Sequence, residues 1–263
     1  MIEVHFQNKP LDPGQSWQDW LDSMENKLKK WYREYADGHE LTDFTLDHGL
    51  VNLHRPSPRM PMPPARSLTI AFEAASGSAK AMRDHISNGF YRRPWHLAHF
   101  TLESAMIVLF CLRHAPDAIS ARLSPNEIFE MTKVFTSNFL SIAAQGWTEV
   151  SNYAGIYERL LGPLLEAIFS GRPVTTTFGP SQDAELSGLL YPGPAHLDQL
   201  RFGSRDMIDA ARSLTSIDQH LFNWEDLPNG DGMGTAEYAG AWDLLDQSYH
   251  MEDTIGTIGM EGL

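Results

Sequence analysis

Three residues that could bind a metal ion lie on one predicted helix, at His96, His99 and Glu103. Steps of three and four residues place side chains on the same face of a helix. Imidazole and carboxylate groups suit several divalent metal ions. However, the sequence contains no H-E-x-x-H motif and no second pair of ligands nearby. A packing role for these side chains is therefore favoured, and we predict no metal and no cofactor.

Nucleophilic catalysis has little support in this sequence. The single cysteine, Cys111, lies in an apolar stretch, which is typical of an inert core thiol. No G-x-S-x-G motif occurs, and residues 75–78 lie within a helical pattern rather than at a strand-to-helix turn. Gly230, Gly232 and Gly234 lack the preceding strand of a phosphate-binding loop. We therefore predict no catalytic site and expect that the protein is not an enzyme.

Composition and charge narrow the function classes further. The chain has 263 residues, 42% of them hydrophobic, and a formal net charge of −14. Such a charge argues against direct binding of nucleic acid, which needs a clustered basic surface. The N-terminal sequence lacks the apolar run of a signal peptide, and the longest unbroken apolar run covers only residues 105–112. We expect a soluble intracellular protein with no membrane contact.

Residues 1–170 carry the patterns of an all-α domain. Apolar residues recur there at three- and four-residue steps, and no stretch alternates at period two. The clearest helix start is the capping box at Ser124 and Glu127. The segment 95–114 is apolar nearly all round at its centre, as in a helix buried between others. The predicted helices cover about residues 17–36, 46–53, 68–87, 95–114, 125–145 and 148–169. We therefore predict an all-α multi-helix bundle.

Residues 171–263 differ in character from this bundle. They hold 4 basic and 15 acidic residues, and prolines and glycines interrupt any long element. One further helix is predicted at about residues 203–215. We expect the rest to be a largely disordered acidic tail.

Two segments of the tail mix acidic and large apolar side chains, which is the compositional pattern of a transcriptional activation segment. In such segments, charge repulsion keeps the aromatic groups solvated until the groove of a partner buries them. A purely solubilising tail, or a segment packed on its own domain, is the alternative. The candidate contacts with a coactivator or with the transcription machinery are Leu221, Phe222, Trp224, Leu227, Trp242, Leu244, Leu245 and Tyr249.

The segment Leu53-His54-Arg55-Pro56-Ser57-Pro58, followed by an alanine-rich helix at residues 71–81, resembles part of a known family. It is similar to the middle homology region of fungal zinc-cluster transcription factors. The apolar helix with residues 105–114 and the stretch 134–170 extend the likeness to about residues 16–171. The resemblance implies an all-α effector-responsive domain, a nuclear location, a role in RNA polymerase II transcription, and homodimers or heterodimers with a related factor.

The six-cysteine zinc cluster through which those factors bind DNA is absent, because this chain has one cysteine. Two interpretations follow: a C-terminal part of a longer factor, or a regulator that has no DNA-binding module of its own. A rival interpretation is an all-α small-molecule binder or enzyme. Its pocket would lie between the buried helices and be lined by Trp95, His96, His99 and Glu103.

Overall fold

A computed structural model of the chain describes residues 4–5, 9–35, 42–87 and 94–190. Helices dominate these residues, and none of the residues so described forms a strand, so the predicted all-α class is confirmed. The helices are α1 (Trp17–Tyr35), α2 (Thr42–His54), α3 (Ala65–Ser87), α4 (Pro94–His114), α5 (Pro116–Ser120), α6 (Pro125–Ala144), α7 (Ser151–Ser170) and α8 (Pro180–Leu190). Short 3-10 turns at Thr148–Val150 and Val174–Thr176 precede α7 and α8.

The predicted capping box at the start of α6 is confirmed. The Ser124 hydroxyl accepts a hydrogen bond from the Glu127 backbone N–H at 3.3 Å. In return, the Glu127 carboxylate accepts one from the Ser124 backbone N–H at 2.8 Å. Pro125 occupies the first helical position, where a missing N–H costs nothing. The local sequence thus determines where this helix begins.

Replacing Ser124 with alanine is expected to lower the free energy of unfolding by about 1 kcal/mol, because the Glu127 N–H loses its acceptor. Urea denaturation followed by circular dichroism would measure the change. Ser137→Ala, at an exposed site within the same helix, is the matched control and should be neutral or slightly stabilising. Equal losses in the two variants would contradict the role assigned to the cap.

Helix α4 forms the centre of the domain. Its residues 105–112 are all buried, and α4 packs against α3, α6, α7 and α8. The prediction of a helix buried between others is therefore confirmed. By length and composition, Leu97–His114 is also apolar enough to cross a membrane, but 72% of that window is buried inside the domain, as in the core helix of a globular protein.

The compact unit extends to Leu190, beyond the boundary that composition predicts at residue 170. Phe178 and Leu186 are buried. The Arg113 guanidinium donates two hydrogen bonds to the Asp183 carboxylate, at 2.7 and 2.8 Å, and joins α4 to α8. Residues 171–190 thus belong to the helical domain. The predicted helix at residues 203–215 and the tail beyond residue 190 lie outside the described residues.

Candidate functional site: a buried polar turn beside a charged groove

A buried polar turn follows α2, at His54, Arg55, Pro56 and Ser57. The exposed fractions of His54, Arg55 and Ser57 are 1%, 7% and 0%. Ser57 and Met60 exchange backbone hydrogen bonds of 3.1 and 3.0 Å, and the Ser57 hydroxyl accepts a further bond from the Met60 N–H. Pro56 has no N–H to satisfy, and its ring ends the preceding helix. The turn that carries the family resemblance is therefore part of the core.

His54 joins α2 to two other helices. Its Nδ1 lies 3.2 Å from the Ser67 hydroxyl in α3, and its Nε2 lies 3.4 Å from the Glu25 carboxylate in α1, without the alignment of a hydrogen bond. Burial lowers the pKa of His54 to about 4. Glu25 would favour the protonated ring, but it already contacts Lys29 and Arg66, and their positive charges oppose protonation of His54. His54 is therefore neutral at physiological pH.

Arg55 and Ser57 bind further segments to the same turn. The buried Arg55 guanidinium pairs with the Glu103 carboxylate of α4. The Ser57 hydroxyl lies 3.0 Å from Nδ1 of His5, near the N-terminus. Arg59 donates to the Val4 carbonyl at 3.3 Å, and its guanidinium lies over the ring of Trp17. Helices α1, α3 and α4 and the N-terminal residues therefore all contact this one turn.

A groove of about 800 Å³ opens beside the turn, between α1, α2, α3 and the chain around α5. Glu25 belongs to both features, since it lines the groove and contacts His54. In the groove, Glu25 accepts hydrogen bonds from Lys29 Nζ at 2.5 Å and from the Arg66 guanidinium at 3.2 Å. These two cations outweigh the burial that would raise the pKa of Glu25, and the pKa is lowered. Glu25 is therefore ionised.

Asp47 is the other unusual group in the groove. It makes no hydrogen bond or ion pair with any described residue, and burial, followed by the neighbouring charge of Asp43, raises its pKa to about 7. Its carboxylate lies against α3 at Gly77: a Cβ at that position would lie 2.3 Å from Asp47 Oδ2. A larger residue at position 77 would force the Asp47 carboxylate to move. A half-buried carboxylate with this pKa can hold a proton or a cation at neutral pH.

His99 and Glu103, two of the residues singled out from the sequence, do not line this groove. Glu103 is engaged by Arg55, and burial lowers the pKa of His99. Trp95 and His96 lie at the start of α4, and their side chains are outside what the structure describes. Cys111 is fully buried, and burial raises the pKa of its thiol, in agreement with an inert core thiol. Within the described ranges, no group of three His, Cys, Asp or Glu side chains could hold a metal ion.

The eight coactivator-contact candidates, which begin at Leu221 and end at Tyr249, all lie outside the described residues. The groove residues Asp47 and Gly77 were missed by the sequence analysis. Two signals pointed to them: an aspartate between Leu46 and Leu50 in the interior of a helix, and a glycine inside a 23-residue helix. Each choice is unfavourable locally, and such choices cluster at functional sites.

No protein-family model, curated protein or solved structure matches this chain. The class that the structure defines is an all-α domain with a buried polar turn and a charged groove.

Proposed function

We propose that this protein is a transcription regulator of a fungal nucleus. It would consist of an effector-responsive helical domain and an acidic activation segment, and it would act in RNA polymerase II transcription without a DNA-binding module in this chain. The supporting observation is the turn at His54–Ser57, because the residues that resemble zinc-cluster factors are buried and contact three helices. A motif placed in this way specifies a fold rather than a catalytic centre.

Charge supports the same proposal. The formal net charge is −14, and ten acidic residues but no basic residue follow Arg212. A chain of this kind reaches DNA through a partner, which we propose to be a related factor in a dimer. The acidic and aromatic clusters around Trp224 and Trp242 then contact a coactivator.

The test is a reporter assay in fungal cells with the full chain fused to a heterologous DNA-binding domain. The wild-type fusion should activate the reporter, and Trp224→Ala with Trp242→Ala should lower activation about tenfold, as expected when two aromatic contacts are lost. The matched control is Ile255→Ala with Ile258→Ala, two apolar tail residues outside the clusters. Unchanged activation in the tryptophan variant, at equal protein level, would refute the assignment of the tail.

The groove supports a second role, the binding of a small molecule. Its volume of about 800 Å³ lies in the range of ligand sites. It is not the pocket that the rival interpretation predicted, since that pocket was expected around His99 and Glu103. In the proposed regulator, a ligand in the groove would be the effector.

A further inference from the structure

Among the charged side chains that line the groove, the cations have partners of opposite charge, whereas one carboxylate has none among the described residues. Lys29 and Arg66 contact Glu25, and the Arg122 guanidinium donates to Glu73 at 2.9 and 3.3 Å. Every cation that lines the groove thus already has a carboxylate partner within the described residues. Asp47 has no cation partner there.

Asp47 has no structural role that would account for its position. It lies in the interior of α2, so it caps neither end of the helix, and it bonds to no described residue. Nevertheless, α3 accommodates it with a glycine at position 77, at a cost of roughly 1 kcal/mol in helix propensity. The carboxylate is also partly desolvated, and no described cation compensates its charge. Asp47 lines the groove with no described cation beside it, so its carboxylate is available to a ligand there.

The surroundings of Asp47 define the chemistry of this ligand. Asp43 lies close enough to raise the pKa of Asp47, so the local potential is negative and favours a cation. Leu50, Ile70 and Ala74 supply an apolar wall. The groove has room for more than an inorganic ion, whose site would also need several converging oxygen ligands. A ligand that fits carries one ammonium group and a short hydrocarbon chain.

We propose that this groove binds an amphipathic organic ammonium ion, with the Asp47 carboxylate as its counter-ion and Leu50, Ile70 and Ala74 against its hydrocarbon chain. The binding itself is independent of the proposed function. The statement that this ligand is the effector of a transcription regulator does rest on the proposed function.

The test is isothermal titration calorimetry of the full chain at pH 8 with three probes of equal chain length: n-octylammonium, n-octanol and n-octanoate. Octylammonium is expected to bind at least tenfold more tightly than the other two, because only it carries a charge complementary to Asp47. Equal binding of octanol and octylammonium would show that the groove binds only the hydrocarbon chain, and it would overturn the proposal. Preferential binding of octanoate would also overturn it.

Two variants connect the binding to Asp47. Asp47→Asn should weaken octylammonium binding at least tenfold, whereas Asp117→Asn, which removes an exposed charge outside the groove, should leave it unchanged. Gly77→Ala should also weaken it, because a methyl group there displaces the carboxylate. Undiminished affinity in Asp47→Asn would refute the site. The reporter assay above is independent, since failure of amine binding leaves activation through Trp224 and Trp242 unaffected.

Discussion

Replacing Glu103 with glutamine is expected to lower the free energy of unfolding by about 2–3 kcal/mol, more than replacing its partner Arg55 with methionine. Arg55 is buried, with 8% of its side chain exposed, whereas 37% of the Glu103 side chain is exposed. Removing the carboxylate takes the Glu103 charge away from a buried guanidinium, and the buried member is the costly half of such a pair. Removing the guanidinium leaves a carboxylate that water can reach, at a cost of about 1 kcal/mol.

Urea denaturation of the two single variants and the double variant would measure these effects. Arg55→Met together with Glu103→Gln should be more stable than Glu103→Gln alone, because the buried guanidinium that has lost the Glu103 charge is then absent. A control at a solvent-exposed pair, Glu130→Gln beside Lys133, should change stability by less than about 0.5 kcal/mol. Additive losses in the double variant would show that Arg55 and Glu103 do not depend on each other.

The helices were predictable because their signals are local. Ser124 and Glu127 are three residues apart, and the apolar stripe that follows them needs only the neighbouring turns. The same holds for the end of α2 at His54, because Pro56 and Pro58 follow two and four residues later and cannot continue the helix. Local propensity and the final fold agree at these positions.

The boundary of the domain was not predictable in the same way. Composition averaged over residues 171–263 hides the short helix α8. This helix is joined to α4 by the contact between Arg113 and Asp183, which are 70 residues apart. Phe178 lies beside the same guanidinium, 5.6 Å from its central carbon. Only the packing of α4 against α8 brings these groups together. A long-range contact of this kind leaves no periodic trace in the sequence.

The candidate site shows the same limit more clearly. No local signal shows that His54 and Arg55 are buried, because their partners Glu25 and Glu103 lie on other helices. Asp47 meets Gly77 only because α2 packs closely on α3. The sequence shows an aspartate between two leucines in the interior of α2. It did not show which residue lies opposite that acid.

Replacing Asp47 with asparagine is expected to stabilise the domain at pH 8 by about 2 kcal/mol and to have little effect near pH 4.5. The pKa of Asp47 is raised to about 7 in the folded protein, first by burial and then by Asp43, against roughly 3.9 in an unfolded chain. The folded state therefore binds more protons than the unfolded state between these two values. The stability that Asp47 contributes is fully present below pH 4, falls as the pH rises, and is lost above pH 7. The expected gain is about 2 kcal/mol, roughly half of the full linkage value, because solvent reaches part of the side chain.

Free energies of unfolding at pH 4.5, 6 and 8, from urea titrations of wild type and Asp47→Asn, test this prediction directly. The difference between the two proteins is the informative quantity, because His48 and His54, whose pKa values burial lowers to about 4, are present in both and cancel. Asp117→Asn, at an exposed position, should show a small difference that does not vary with pH. A pH-independent gain in Asp47→Asn would mean that the carboxylate is not desolvated. A gain that grows from pH 4.5 to pH 8 would show that the groove holds an ionised Asp47 at a cost in stability, and a bound cation would then recover that cost.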